Sequence, residues 1–311
     1  MNPSGNTIVD GSDLHGMDLQ GADLSGVSAE GVDFNGANLT GANLFQSNLP
    51  KVNLRSAILV GANLHNTKML GACLVDANLL GANLTLAYLL DADLSRSNLE
   101  SANLVKANLI GANLSGARMH NSNLAGVTMT SANLSNSNLF HINLYQADLT
   151  NSNLTEVNLA VSSLLGAIMI GANLTGANCT FSNMVSSNLS AANLSNANLQ
   201  SANLTSANVA TANLHSANLA RSILHGTNFS HAVMTKSILF EADLRESNLS
   251  NANLIDADLT GANLASANLR GANLAGANLF CANLFDVDLE NVDLTNTNLS
   301  GAKMPDGTIH S

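Results

Sequence analysis

An apolar residue recurs every five positions from Leu14 to Leu299 without a single insertion or deletion. This gives 58 units, of which 47 carry leucine at that position. The exceptions, among them Phe34, Met69, Cys179, Val209 and Phe229, are apolar too. Two residues before each central position stands a small residue, as at Ala37, Ala42 and Ala62. Between the two stands Asn or Asp, as at Asn38, Asn43 and Asp93. Apolar–polar–apolar alternation is the pattern of a strand, whose neighbouring side chains point to opposite faces. The central and small residues therefore face inward and the Asn or Asp outward. A period of five walks around a 3.6-residue helix and never builds one apolar face. Of 23 glycines, 21 fall two residues after a centre, where a corner every five residues needs a permissive backbone.

This A(D/N)LXX pattern, carried by units such as Ala37–Asn38–Leu39 and Ala62–Asn63–Leu64, resembles the pentapeptide-repeat family over roughly residues 10–304. The resemblance implies an all-β fold: a right-handed quadrilateral parallel β-helix with four pentapeptides per coil, so that residue i stacks on i + 20. At the usual strand spacing, 14–15 coils make a rod of about 70 Å. Residues 1–9 read as a short N-terminal tail, 10–304 as one continuous array and 305–311 as a short C-terminal tail. Neither tail is long enough for a capping domain. Solenoid ends expose core and unpaired backbone, so self-association is expected, as a homodimer or end to end. The uninterrupted array and the ending Gly301 to His310 resemble the long cyanobacterial members of the family.

Composition narrows the class. Only 11% of residues are charged, 3% are aromatic and 46% are hydrophobic, with three prolines and three cysteines. These values exclude a charged disordered chain, a collagen-like chain and a disulfide scaffold. The first basic residue is Lys51, so no basic segment leads into an apolar one, and the longest apolar run is about half a membrane span. The expectation is a cytoplasmic protein with no membrane partner. Net charge is −11, unevenly placed. Residues 1–33 hold six acids and no base, residues 241–311 ten acids and three bases, and residues 34–240 six acids and eight bases. Acidic poles favour solubility and discourage stacking of bare ends.

The outward columns carry the candidate binding surface. With i + 20 stacking, one side runs Phe45, His65, Thr85, Val105, Ala125, Tyr145, Leu165 and Val185. A second runs Pro50, Leu70, Leu90, Ile110, Thr130, Thr150 and Ile170. Exposed apolar patches mark interaction surfaces, although outward ladders of large residues also stabilise a sheet by stacking. The candidate protein interface is Phe45, Leu70, Leu90, Val105, Ile110, Tyr145, Leu165, Ile170 and Val185.

Other chemistries fit less well. A filled Leu/Ala interior leaves no evident pocket and the histidines do not cluster, so no catalytic residue, cofactor or metal is assigned and the chain reads as a non-enzyme. The pairs Asp91/Asp93, Asp256/Asp258 and Asp286/Asp288 lack the six to eight oxygen ligands that calcium takes. Scattered bases and an acidic balance argue against nucleic-acid binding. Some members of the family mimic duplex DNA and bind DNA gyrase, which makes that role the alternative. Duplex DNA of this length carries about 40 charges, against 22 acids here. The reading preferred on sequence is a scaffold or regulatory rod that binds an unidentified protein partner through the apolar stripe. A self-associating structural homo-oligomer is the further alternative.

Overall fold

The computed structural model describes residues 7–311, which group into two compact units, Met1–Asn158 and Leu159–Ser311. Each is a right-handed quadrilateral parallel β-helix. In the first unit, bridges join Asp13 to Asp33, Asp18 to Asn38, Asp23 to Asn43 and Ser28 to Asn48. The same step of 20 residues continues to Asn138 and Asn158. In the second unit it runs from Ser163 and Asn183 to Asn283 and Lys303. The Asn or Asp column is thus the paired position on each of four sides.

One pentapeptide accounts for all of its amide protons. In the unit around Leu39, the central N–H donates to Ile58 O at 2.7 Å and the corner Gly41 N–H to Val60 O at 2.9 Å. The Asn38 N–H donates back to Met17 O at 2.9 Å, and Ala42 N–H closes the turn on Leu39 O at 3.0 Å. The fifth N–H, on Thr40, points outward, and Asn38 Oδ1 accepts it at 3.2 Å. This is why Asn or Asp holds the column: the side chain takes the one donor that no neighbouring coil reaches, as an Asx turn does. The same side chains also ladder between coils, as when Asn63 Nδ2 donates to Asn43 Oδ1 at 2.9 Å.

Every corner from Gly11 to Gly301 has positive φ, and 38 of these corners are not glycine. The glycine column is therefore a sample of a conformation that all corners adopt. Ser, Asn and Asp fill many of the rest, whereas Leu86, Val161 and Phe181 hold φ of 58°, 60° and 56° against the usual preference.

The interior is apolar and layered. Central residues such as Leu39, Leu84 and Leu254 are fully buried, and so are the small residues beside them. Serine in the small column bonds back to the preceding centre, as Ser222 Oγ does to Leu219 O at 2.7 Å. Ser47, Ser97 and Ser247 are buried without a partner for Oγ. In the last coil the pattern opens: Leu289, Leu294 and Leu299 are only half-buried. The short C-terminal tail is ordered there. It turns after Met304 so that Ile309 pairs antiparallel with Lys303, and His310 N–H donates to Ala302 O at 2.8 Å.

Candidate functional site

Six of the nine stripe residues lie in the first unit. Leu70, Leu90 and Ile110 follow one another at 20-residue steps on one side of the coils. Val105 sits on the adjacent side, one corner away from Ile110. Leu70 is 41% exposed, whereas Leu90, Val105 and Ile110 are half-buried by their stacked neighbours. Phe45 and Tyr145 share the Val105 column but stand three and two coils away from it. Phe45 stacks on His65 with ring centroids 5.6 Å apart, and Tyr145 is separated from Val105 by Ala125. The compact part of the stripe is therefore the group around Leu90. In the second unit Leu165 and Val185 are one coil apart, and Ile170 lies on the next side.

Two residues outside the stripe complete the first group. Leu86 occupies the corner between the two columns and is 45% exposed, and its N–H donates to Val105 O at 3.0 Å. Tyr88 replaces the Asn of its column, bridges Lys68 and Asn108, and is 42% exposed. In the second unit Val161, Ile168 and Phe181 are likewise exposed. The sequence signal was available: each is a large apolar residue in a column whose other members are mostly polar or glycine.

Replacing the column Asn has a second consequence. Ile110 N–H donates to Asn108 Oδ1 at 3.1 Å, but Lys68 and Tyr88 offer no such acceptor. Among the described residues the N–H groups of Leu70 and Leu90 have no hydrogen-bond partner. The group thus combines exposed apolar side chains with unpaired outward donors.

Many polar groups elsewhere are spent locally. Asp93 Oδ1 accepts the Ser95 N–H at 2.9 Å, Asp258 Oδ1 the Thr260 N–H at 3.0 Å, and Asp288 Oδ1 the Glu290 N–H at 2.9 Å. Three histidines fall in separate pairs: His120 with Glu100 at 2.7 Å, His141 with Asn121 at 2.9 Å, and His215 with Thr235 at 2.7 Å. Among the described residues no group of three or more His, Cys, Asp or Glu is gathered as a metal site. Arg96 grips Asp76 through two bonds of 2.8 and 2.7 Å, and Arg245 grips Asp243 through two of 2.7 and 2.6 Å. The hydrogen bond from the Arg245 guanidinium holds the Asp243 carboxyl below its ordinary range. Burial pushes the Cys179 thiol up to about 12. Cys281 is the exposed cysteine and Cys73 is half-buried. Among the described residues, no helix is long and apolar enough to cross a membrane.

Several solved structures are similar to this chain. The structure of HetL, a pentapeptide repeat protein involved in heterocyst differentiation regulation from the cyanobacterium Nostoc sp. strain PCC 7120, is 36% identical. It covers 67% of this chain and 91% of that one, with a TM-score of 0.58. Rfr23 from the cyanobacterium Cyanothece 51142 is 43% identical over 31% of this chain and 58% of its own, with a TM-score of 0.21. QnrB1, a plasmid-mediated fluoroquinolone resistance protein, is 19% identical over 61% of this chain and 90% of its own, with a TM-score of 0.31. No curated protein sequence matches the chain. Segments matching the Pentapeptide repeats family run from residue 5 to residue 306. With nearly every coil matched, the chain belongs to the family of pentapeptide repeats.

Proposed function

We propose that this chain is a non-enzymatic protein-interaction module that presents the apolar group around Leu90 to a protein partner. The observation that carries this reading is the exposure of Leu70 on one coil and of Leu86 and Tyr88 on the next, within one unit. Contiguous apolar surface of this kind marks an interaction site more often than chance. Its side chains sit on a backbone hydrogen-bonded from coil to coil, as Leu89 N–H to Asn108 O at 2.7 Å, so little ordering entropy is lost on binding. The likeness to HetL, whose role is in heterocyst differentiation regulation, favours a regulatory binder over a purely structural rod. The nine stripe residues are not equal in this reading. Leu70, Leu90, Val105 and Ile110 form the core of the surface, Phe45 and Tyr145 belong to the same unit, and Leu165, Ile170 and Val185 form a separate apolar group on the second unit.

The test is a pull-down from native lysate with wild type and a Leu70→Glu, Leu90→Glu double variant, with circular dichroism confirming that both keep their β structure. A partner held by wild type and lost by the variant is the expected result. Equal recovery by the two proteins, or recovery by neither, would make these residues a stacking ladder and overturn the reading.

A further inference from the structure

We infer that the partner segment seated on this group is acidic as well as apolar. The inference rests on the reading above and names the chemistry of the partner. Three observations point the same way. First, Lys68 and Lys106 frame the apolar side chains: Lys68 pairs through its backbone with Tyr88, and Lys106 lies one coil from Leu86 at the same corner. Neither lysine has an ion-pair partner among the described residues. Lys51, further along, is already held by Glu30 at 2.6 Å. Second, Asp91 is the one carboxylate on the four rows of this side between Gln46 and Gly111. Cations outnumber acids here in a chain whose net charge is −11. Third, the unpaired N–H groups of Leu70 and Leu90 point outward one coil apart, about 4.8 Å. Two ammonium groups and two free amide donors around an apolar centre call for acceptors on the partner. A carboxylate supplies them and is matched in charge, while leucine-like side chains cover Leu70, Leu86 and Leu90. A basic partner would leave both amides unpaired and face two like charges.

The experiment uses two synthetic helical peptides of equal length with leucine on one face. One carries glutamate at the remaining positions and the other lysine, and binding to the full chain is followed by fluorescence anisotropy. The bulk charge of the protein favours the lysine peptide, so the inference predicts the less obvious outcome. The glutamate peptide should bind at least about tenfold more tightly than the lysine peptide. Lys68→Glu with Lys106→Glu should reverse that preference. Tyr88→Asn, which restores the column residue and caps the Leu90 N–H, should weaken the glutamate peptide while leaving the fold at least as stable.

Preference of wild type for the lysine peptide, no binding of the glutamate peptide, or indifference to the lysine reversals would overturn the inference. Loss of binding in Leu70→Ser with Leu90→Ser separates the two levels. If that variant loses binding while the lysine reversals do nothing, the apolar surface stands and the acidic partner fails. If it binds like wild type, both fail together.

Discussion

Ser97 and Ser222 occupy equivalent inward positions, and replacing each by alanine should move stability in opposite directions. Ser97 is fully buried between Ala77 below and Ala117 above, and its Oγ has no partner. Ser222 is equally buried between Ala202 and Ala242, but its Oγ donates to Leu219 O at 2.7 Å. Both sites therefore accept alanine without new packing, because alanine already fills the coils on either side. An unpaired buried hydroxyl costs roughly 1–3 kcal/mol, whereas a satisfied one contributes about 0.5–1.5 kcal/mol net. Ser97→Ala should raise stability by about 1 kcal/mol, and Ser222→Ala should lower it by about 1 kcal/mol. Urea unfolding followed by circular dichroism reads the midpoints. A long repeat array can open in stages, so native-state hydrogen exchange at Leu79 and Leu99, and at Leu204 and Leu224, localises the change. A lower midpoint for Ser97→Ala, equal to that of Ser222→Ala, would refute the reasoning and show that the Ser97 hydroxyl finds a partner in solution.

Three further outcomes follow from the geometry. Val161 holds φ of 60° with a β-branched side chain, so Val161→Gly should raise the melting temperature through a gain of about 1 kcal/mol, and a fall would contradict the corner account. With its thiol pushed up to about 12 by burial, Cys179 should resist alkylation at pH 8 in the native protein while exposed Cys281 reacts first; mass spectrometry showing equal labelling would count against the apolar core. The folded-state carboxyl of Asp243 is depressed by Arg245, so its contribution is present above the ordinary value of 3.8 and lost as pH falls through the folded value. A carboxyl titration by NMR should place Asp243 below that value in wild type and closer to it in Arg245→Ala.

Much of this architecture was legible in the sequence because the repeat is covalently periodic. A Leu every five residues with a small residue two before it leaves one inward arrangement, and Leu39 with Ala37 occupies it as expected. The corner glycines were read correctly but incompletely. Gly41 announced a corner that needs a permissive backbone, while Gln46 one unit later adopts a similar positive φ with nothing in its side chain to signal it. The candidate surface was read column by column, which singled out Leu70, Leu90 and Ile110. Leu86 and Tyr88, exposed beside them, were not singled out because one occupies a corner and the other a position assigned to Asn. Their nearness depends on which columns meet at an edge.

The sequence by itself determined the strand alternation, the corner period and the identity of the core, because these depend only on spacing along one chain. The tertiary structure decided what each outward residue does. The Asn column looked merely solvent-facing until the coils were in place, when Asn38 Oδ1 proved to take the Thr40 N–H. Among the described residues, the same frame left the N–H groups of Leu70 and Leu90 without an acceptor where Lys68 and Tyr88 stand in for Asn. A hydrogen bond that is satisfied or left open depends on where the next coil runs, and that position is set by 20-residue stacking rather than by any local five-residue unit.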